Sequence, residues 1–237
     1  MLQRETPEAQ QDRRYRPPSG EKTVPWSGES EAQLSIGGER PLFVAGDLSL
    51  LKDCRRVSVI GSRDASEAGL RRATRLARSL ASSGVVVVAG LARGIDRAAH
   101  EAAIAAGGRT IAVIGTPLDR CYPAEHAALQ ELMYREHLLV SQFPSGAPVR
   151  AANFPKRNRV MAMLSDASVI VEAGDSSGSL SQAAETQRLG KPVFLMRSLV
   201  ENKALSWPAA FLKNGAIVLD DAQQVLEALG YGRGAFL

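Results

Sequence analysis

Four consecutive valines, Val85-Val86-Val87-Val88, run straight into Ala89-Gly90 and leave this chain few folds to choose from. β-Branched residues favour extended backbone, and an uninterrupted apolar strand is one buried on both faces, as in a parallel sheet covered by helices. From residue 57 onward the same grammar recurs: short β-branched runs bounded by glycine alternate with longer amphipathic segments. The alternation predicts strands at Val57–Ile60, Val85–Val88, Thr110–Ile114, His137–Val140, Ser168–Val171, Pro192–Leu195 and Ala216–Leu219. Helices are predicted near 66–83, 95–106, 124–135, 157–165, 179–189, 204–212 and 221–229. The expected fold class is therefore α/β, with a doubly wound, mainly parallel sheet.

Residues 1 to about 38 follow no such period. Rich in Gln, Glu, Arg, Pro, Ser and Gly, they read as a disordered or loosely docked leader (1–38) ahead of one domain (39–237). Trp26 and Arg13-Arg14-Tyr15-Arg16 leave two readings open, a solubilising tail or a segment that docks or touches nucleic acid. With 237 residues, 45% of them hydrophobic, the chain can bury one core, with or without a small appendage. Lys and Arg outnumber Asp and Glu by 29 to 25, a mild excess compatible with nucleic-acid binding without requiring it. Cys54 and Cys121 lack CxxC or His-rich surroundings, so neither a disulfide framework nor a metal site is indicated. Arg4, Glu5, Asp12, Arg13 and Arg14 stand where a secretory signal would be apolar, and no run approaches the roughly 20 apolar residues of a membrane span. A soluble, cytoplasmic protein is expected.

Doubly wound sheets bind ligands beyond the carboxyl ends of their strands, where loops lead into helices. The densest motif is Phe154-Pro155-Lys156-Arg157-Asn158-Arg159, four basic or amide side chains behind a proline and ahead of the apolar run Val160–Leu164. A cationic cluster at the mouth of a buried helix suits phosphate, so a polyanion is the expected ligand. After the first strand, Gly61-Ser62-Arg63 offers close backbone approach, a hydroxyl and a guanidinium fork. The plainer reading is a tight turn at Gly61 with Ser66 capping a helix whose Arg71, Arg72, Arg75 and Arg78 form a solvated face. Gly90 to Asp96 forms a second wall, in which Asp96 is expected to cap the helix and orient Arg93; His100, with no second ligand one turn on, reads as a core histidine. Gly115-Thr116 continues the pocket floor, and Tyr122 beside Pro123 either packs or stacks on a base. Gly174 to Ser179 feeds a helix N-terminus with amides and hydroxyls. Glu172 is the one well-placed carboxylate for general-base work, or else the structural partner of an arginine. There is no GxxxxGK[ST] loop or GxGxxG fingerprint, and the three histidines are not spaced like a triad. Binding without turnover is the leading class.

Taken in order, Val57–Arg63, Gly90–His100, Thr110–Asp119 with Tyr122-Pro123, Phe154–Arg159, and Val171-Glu172-Ala173 with Ser177–Leu180 resemble the DprA/Smf family of DNA-processing proteins. Pro41–Leu48 resembles the segment leading into that family's fold, and the likeness covers roughly residues 40–195. The resemblance implies an extended Rossmann-like domain that binds single-stranded DNA, dimerises, and hands the strand to a RecA recombinase in DNA uptake or recombination. It implies no cofactor. The implied pocket comprises Gly61, Ser62, Arg63, Gly90, Arg93, Gly94, Lys156, Arg157, Asn158 and Arg159, with Ser177, Gly178 and Ser179 on its rim. Ser141-Gln142 replaces the family's usual Ser-Glu, and Arg197–Lys203 replaces its usual Pro-Gly turn. A minimal or divergent member is expected, lacking the helical N-terminal and winged-helix domains of many relatives. Two alternatives stand beside this reading. One is a nucleotide sensor or phosphoribohydrolase-like enzyme with Glu185 as its acid; the other is a DprA-like partner in a mobile or defence locus. Leu226, Leu229, Tyr231 and Phe236 read either as a dimer surface or as a core-covering helix.

Overall fold

The computed structural model describes residues 22–24 and 42–230. Nine strands form one sheet: β1 (Lys22–Val24), β2 (Leu42–Gly46), β3 (Arg56–Gly61), β4 (Val86–Ala89), β5 (Thr110–Ile114), β6 (Leu138–Ser141), β7 (Ala167–Glu172), β8 (Val193–Met196) and β9 (Ile217–Leu219). Their spatial order is β1-β2-β6-β5-β4-β3-β7-β8-β9. From β6 to β9 all neighbours are parallel, whereas β2 runs antiparallel to both β1 and β6. The intervening helices are α1 (Glu67–Ser82), α2 (Ile95–Ala105), α3 (Ala127–Glu136), α4 (Asn153–Leu164), α5 (Ser179–Arg188), α6 (Arg197–Val200), α7 (Pro208–Lys213) and α8 (Ala222–Ala228). The fold is α/β, Rossmann-like and doubly wound.

The valine run behaves as its sequence demands. Val85 and Val87 pack against α1 and α2 on one face, and Val86 and Val88 pack toward α4 on the other. On α1, Ala73, Leu76, Ala77 and Leu80 repeat at helical spacing and are buried, while Arg71, Arg75 and Arg78 point to solvent. Ser66 caps that helix by accepting from the Gly69 amide at 3.0 Å. Leu226 and Leu229 are buried with the α1 and α2 residues, so α8 covers core. Tyr231 and Phe236 lie outside the described residues.

All seven expected strands form, each within a residue of its expected ends. The two antiparallel strands were not anticipated: β2 is five residues long and β1 only three, too short for a period to register. β1 places Lys22–Val24 of the leader on the sheet edge; Trp26 and the Arg13–Arg16 patch lie outside the described residues. Helix α4 starts at Asn153, four residues before the expected 157, because Pro155 falls within the first turn, where a missing amide N–H costs nothing. The expected helix at 204–212 is shorter, with Pro208 at its first turn, and the four-residue α6 precedes it. Among the described residues, no helix is long and apolar enough to cross a membrane.

Candidate nucleic-acid interface

The sheet order reverses at β3. Strands β3 to β6 progress in one direction and β7 to β9 in the other, so the loops after β3 and β7 leave in opposite directions and open a crevice between them. That crevice is a cleft of about 510 Å³. One wall is Gly61, Ser62 and Arg63; the other is Gly174 with Ser176 to Ser179, where the loop enters α5. Phe154, Arg157, Asn158 and Met161 of α4 complete it, a helical stripe one and two turns long. A second cleft of about 280 Å³ adjoins it and is bounded by Gly90, Arg93, Gly115 and Tyr122–Glu125. Arg63, Ala92, Phe154 and Arg157 belong to both.

The loops are clasped by backbone bonds. Ser62 donates its amide to the Glu172 carbonyl at 2.7 Å, and Ile95 donates to the Ser62 carbonyl at 3.2 Å. Gly94 sits at φ +72°, and a Cβ there would stand 2.3 Å from the Ser62 oxygen, so the clasp requires glycine. Glu172 accepts from the Ser66 amide (2.7 Å) and hydroxyl (2.6 Å) and pairs with Arg72 (3.3 Å). Its carboxylate is committed to holding the start of α1, the structural of the two readings open from sequence.

Beneath the shared wall lies a buried charge pair. Arg157 is 5% exposed and donates through Nη1 to the Gly90 and Val113 carbonyls, the latter at 2.9 Å. Gly90 makes room for it: a Cβ would stand 1.6 Å from Nη1. Asp96, 7% exposed, accepts from the Gly90 (3.1 Å) and Ala92 (3.4 Å) amides. Burial pushes the Asp96 carboxyl up and the Arg157 guanidinium down, and each is offset by the other's charge. One expectation is corrected here. Asp96 does not cap α2, whose cap residue is Gly94, and it turns back onto its own loop toward Arg157 instead of orienting Arg93. Arg157 commits Nη1 to main-chain carbonyls, which makes it a strut of the wall that both clefts share, while its Nε is buried without a partner among the described residues.

At the boundary between the clefts, the Arg63 guanidinium lies 5.2 Å from the Phe154 ring centroid, and the Tyr122 ring lies 5.5 Å from Phe154 on the second cleft's side. Asn158 Nδ2 donates to the Gly178 carbonyl (3.0 Å) and Ser181 Oγ (3.3 Å), tying α4 to the mouth of α5. Ser177 and Ser179 hydroxyls share a 2.7 Å bond there. His100 is fully buried against Thr110 (2.8 Å), and desolvation pulls it down to about 3, as befits a core histidine. Among the described residues, no group of three or more His, Cys, Asp and Glu could hold a metal.

Residues 38–230 match the family model for DNA recombination-mediator protein A. The chain belongs to this family. It is 39% identical to protein Smf of Escherichia coli (strain K12) over 192 residues, 81% of this chain and 51% of that protein. It therefore spans about half the length of that relative. The structure of DNA processing protein A (DprA) from Streptococcus pneumoniae superposes with a TM-score of 0.79 at 32% identity, covering 88% of this chain and 74% of the other. That of DprA from Helicobacter pylori, described for its unique single-stranded DNA binding mode, gives 0.77 at 27% identity, covering 89% and 95%.

The site residues expected of a DprA/Smf member divide into three groups. Gly61, Ser62, Arg63, Asn158, Ser177, Gly178 and Ser179 line the larger cleft, and Gly90 and Arg93 line the smaller. Arg157 lines both but as a buried strut, and Gly94 shapes the loop without lining either. Lys156 and Arg159 lie outside both linings, on the exposed flank of α4. Sequence reasoning missed Phe154, Met161, Gln182 and the Asp96–Arg157 pairing. The first two were available from helical spacing, since positions 154, 157, 158 and 161 share a face; nothing local in the sequence marks Gln182 as part of the floor.

Proposed function

We propose that this DprA/Smf member binds single-stranded DNA across the two adjoining clefts, shields it, and as a homodimer delivers it to a RecA-type recombinase. The observation that carries the proposal is the make-up of the cleft at the switch point. The exposed Arg63 forms one wall and the main-chain and hydroxyl groups at the start of a ten-residue helix form the other, with Phe154 beside Arg63 and Tyr122 beside Phe154. Cations and a helix N-terminus suit phosphates, and aromatic faces suit unstacked bases, which a single strand offers and a duplex does not. The single-stranded DNA binding mode ascribed to the Helicobacter pylori relative, and the recombination-mediator description of the family, support the same reading. The function is binding without turnover. Glu185, the acid of the phosphoribohydrolase alternative, is held by Arg188 at 2.6 Å and lies outside the cleft linings.

Anisotropy of labelled single- and double-stranded oligonucleotides at several salt concentrations tests this. Arg63, Arg93, Lys156 and Arg159 are the exposed cations around the clefts. If these four contact phosphates, the log–log salt slope for single strands is about −3, at roughly 0.7 per contact. Arg63→Ala weakens binding and flattens the slope by about 0.7. Equal affinity for duplex, or binding indifferent to Arg63→Ala, refutes the site.

A further inference from the structure

We propose that Asp175 is a positioning residue, which tethers the serine-bearing wall of the larger cleft to Ser206 without itself touching the ligand. This deepens, and rests on, the reading of that cleft as the single-strand site.

The loop that enters α5 supplies its wall through Gly174 and Ser176 to Ser179, and Asp175 is the one residue of the loop that lines neither cleft. Packing does little to hold this loop in place. A Cβ at Gly174 or Gly178 would meet no atom within 4 Å, and Gly174, Asp175, Ser176 and Gly178 are exposed. Glycine-rich backbone loses more freedom on ordering than any other, so a ligand that needs this wall in one place bears that cost unless other bonds fix it first. Two side chains do so. Asn158 Nδ2 donates to the Gly178 carbonyl at the far end, at 3.0 Å. At the near end, Asp175 Oδ1 accepts from the Ser206 amide at 2.9 Å and the Ser206 hydroxyl at 2.8 Å.

Ser206 is firmly placed. Its neighbour Trp207 is 8% exposed, donates its ring N–H to the Ala173 carbonyl at 3.3 Å, and meets Phe211 edge-on at 5.4 Å. Trp207 and Ala173 share one buried cluster with Leu195 and Leu199, so the tether runs from an unpacked loop to the core. A carboxylate beside a polyanion site repels the ligand by its charge alone. In this loop the donors of Ser206 engage it and hold it below the usual carboxylate range. Its charge thus works against a polyanion while its hydrogen bonds work for one. A neutral acceptor at the same position separates the two effects.

The test measures anisotropy of a labelled oligothymidylate with wild type, Asp175→Asn, Asp175→Ala, Ser206→Ala and Arg63→Ala. Both Asp175 variants lose the charge, but only asparagine keeps an oxygen for Ser206 to donate to. Asp175→Asn binds at least as tightly as wild type, and Asp175→Ala binds roughly three- to tenfold more weakly than Asp175→Asn. In a Ser206→Ala background that gap narrows, because only the amide donor is left. Amide hydrogen exchange over residues 176–179 is faster in Asp175→Ala than in Asp175→Asn, a difference that charge alone does not produce. Melting curves establish that the Asp175 variants are folded; if Asp175→Ala is not, Ser206→Ala decides the matter by a loss of roughly two- to fivefold. Equal affinities for Asp175→Asn and Asp175→Ala, or tighter binding by the alanine variant, overturn the tether while Arg63→Ala still weakens binding. If Arg63→Ala does not weaken it, the cleft itself is not the site and the inference falls with it.

Discussion

Arg157→Met separates a strut from a ligand contact. The wild-type guanidinium is 5% exposed, donates to two main-chain carbonyls and lies beside the buried Asp96. The methionine fills much of the same volume, yet strands the carbonyls of Gly90 and Val113 and leaves Asp96 without its counter-charge. Removing one partner of a buried pair costs about 3–5 kcal/mol, a large share of the roughly 5–15 kcal/mol of a typical domain. Urea denaturation followed by circular dichroism measures it as a lowered midpoint at constant slope. Asp96→Asn combined with Arg157→Met is less harmful than the two separate losses added together, by about 1–3 kcal/mol, because the double variant has no lone buried charge. The Met variant's deficit also depends on pH. Without Arg157, the Asp96 carboxyl, already raised by burial, rises further, so between the two native values the variant's folded state holds more protons than that of wild type. Its stability relative to wild type therefore falls as pH rises through that window and recovers on acidification. An Arg157→Met protein within about 1 kcal/mol of wild type that no longer binds DNA would refute the reasoning and return Arg157 to the ligand.

Two further outcomes follow from the same interior. Gly90→Ala places a methyl where Arg157 Nη1 now lies, so it destabilises in thermal melts by about 1–3 kcal/mol and, combined with Arg157→Met, adds little more; full additivity would show the two do not share the space. His100, pulled from 6.5 to about 3, is neutral in the folded state and takes up a proton on unfolding, so wild-type stability declines as pH is lowered from about 6.5 toward 3. His100→Gln flattens that decline in urea titrations, and an NMR titration that moved the His100 ring signals between pH 5 and 8 would contradict its burial against Thr110.

The sheet was legible because its signal is local. Valine runs, glycine stops and 3.6-residue stripes are written in consecutive residues, and they gave all seven parallel strands. What escaped was set by distant partners: β2 is a strand because β6 lies beside it, and α6 is held by Leu199, buried in the core, with Arg197 paired to Asp220 across the β8 and β9 loops. The site divides along the same line. Which loops converge follows from strand order, and a doubly wound sheet puts its Gly61, Gly90 and Gly174 loops at one edge whatever their details.

Composition alone could not say which charges those loops present. Lys156, Arg157 and Arg159 are equivalent as letters in a basic motif, but a helix turns each neighbour by about 100°, and α4 lies with one face on the sheet. Position 157 falls on the stripe with 154, 158 and 161, directly over the Gly90 carbonyl, while 156 and 159 fall on the flank. A cation forced inward must find acceptors or stay out, and Arg157 finds Gly90, Val113 and Asp96, converting a ligand's charge into the wall that shapes the ligand's site. On the proposed function, the exposed charge that would meet DNA is therefore the motif's flank together with Arg63 and Arg93. For that reason the salt slope of Arg63→Ala, and not the binding loss of Arg157→Met, reports on phosphate contact.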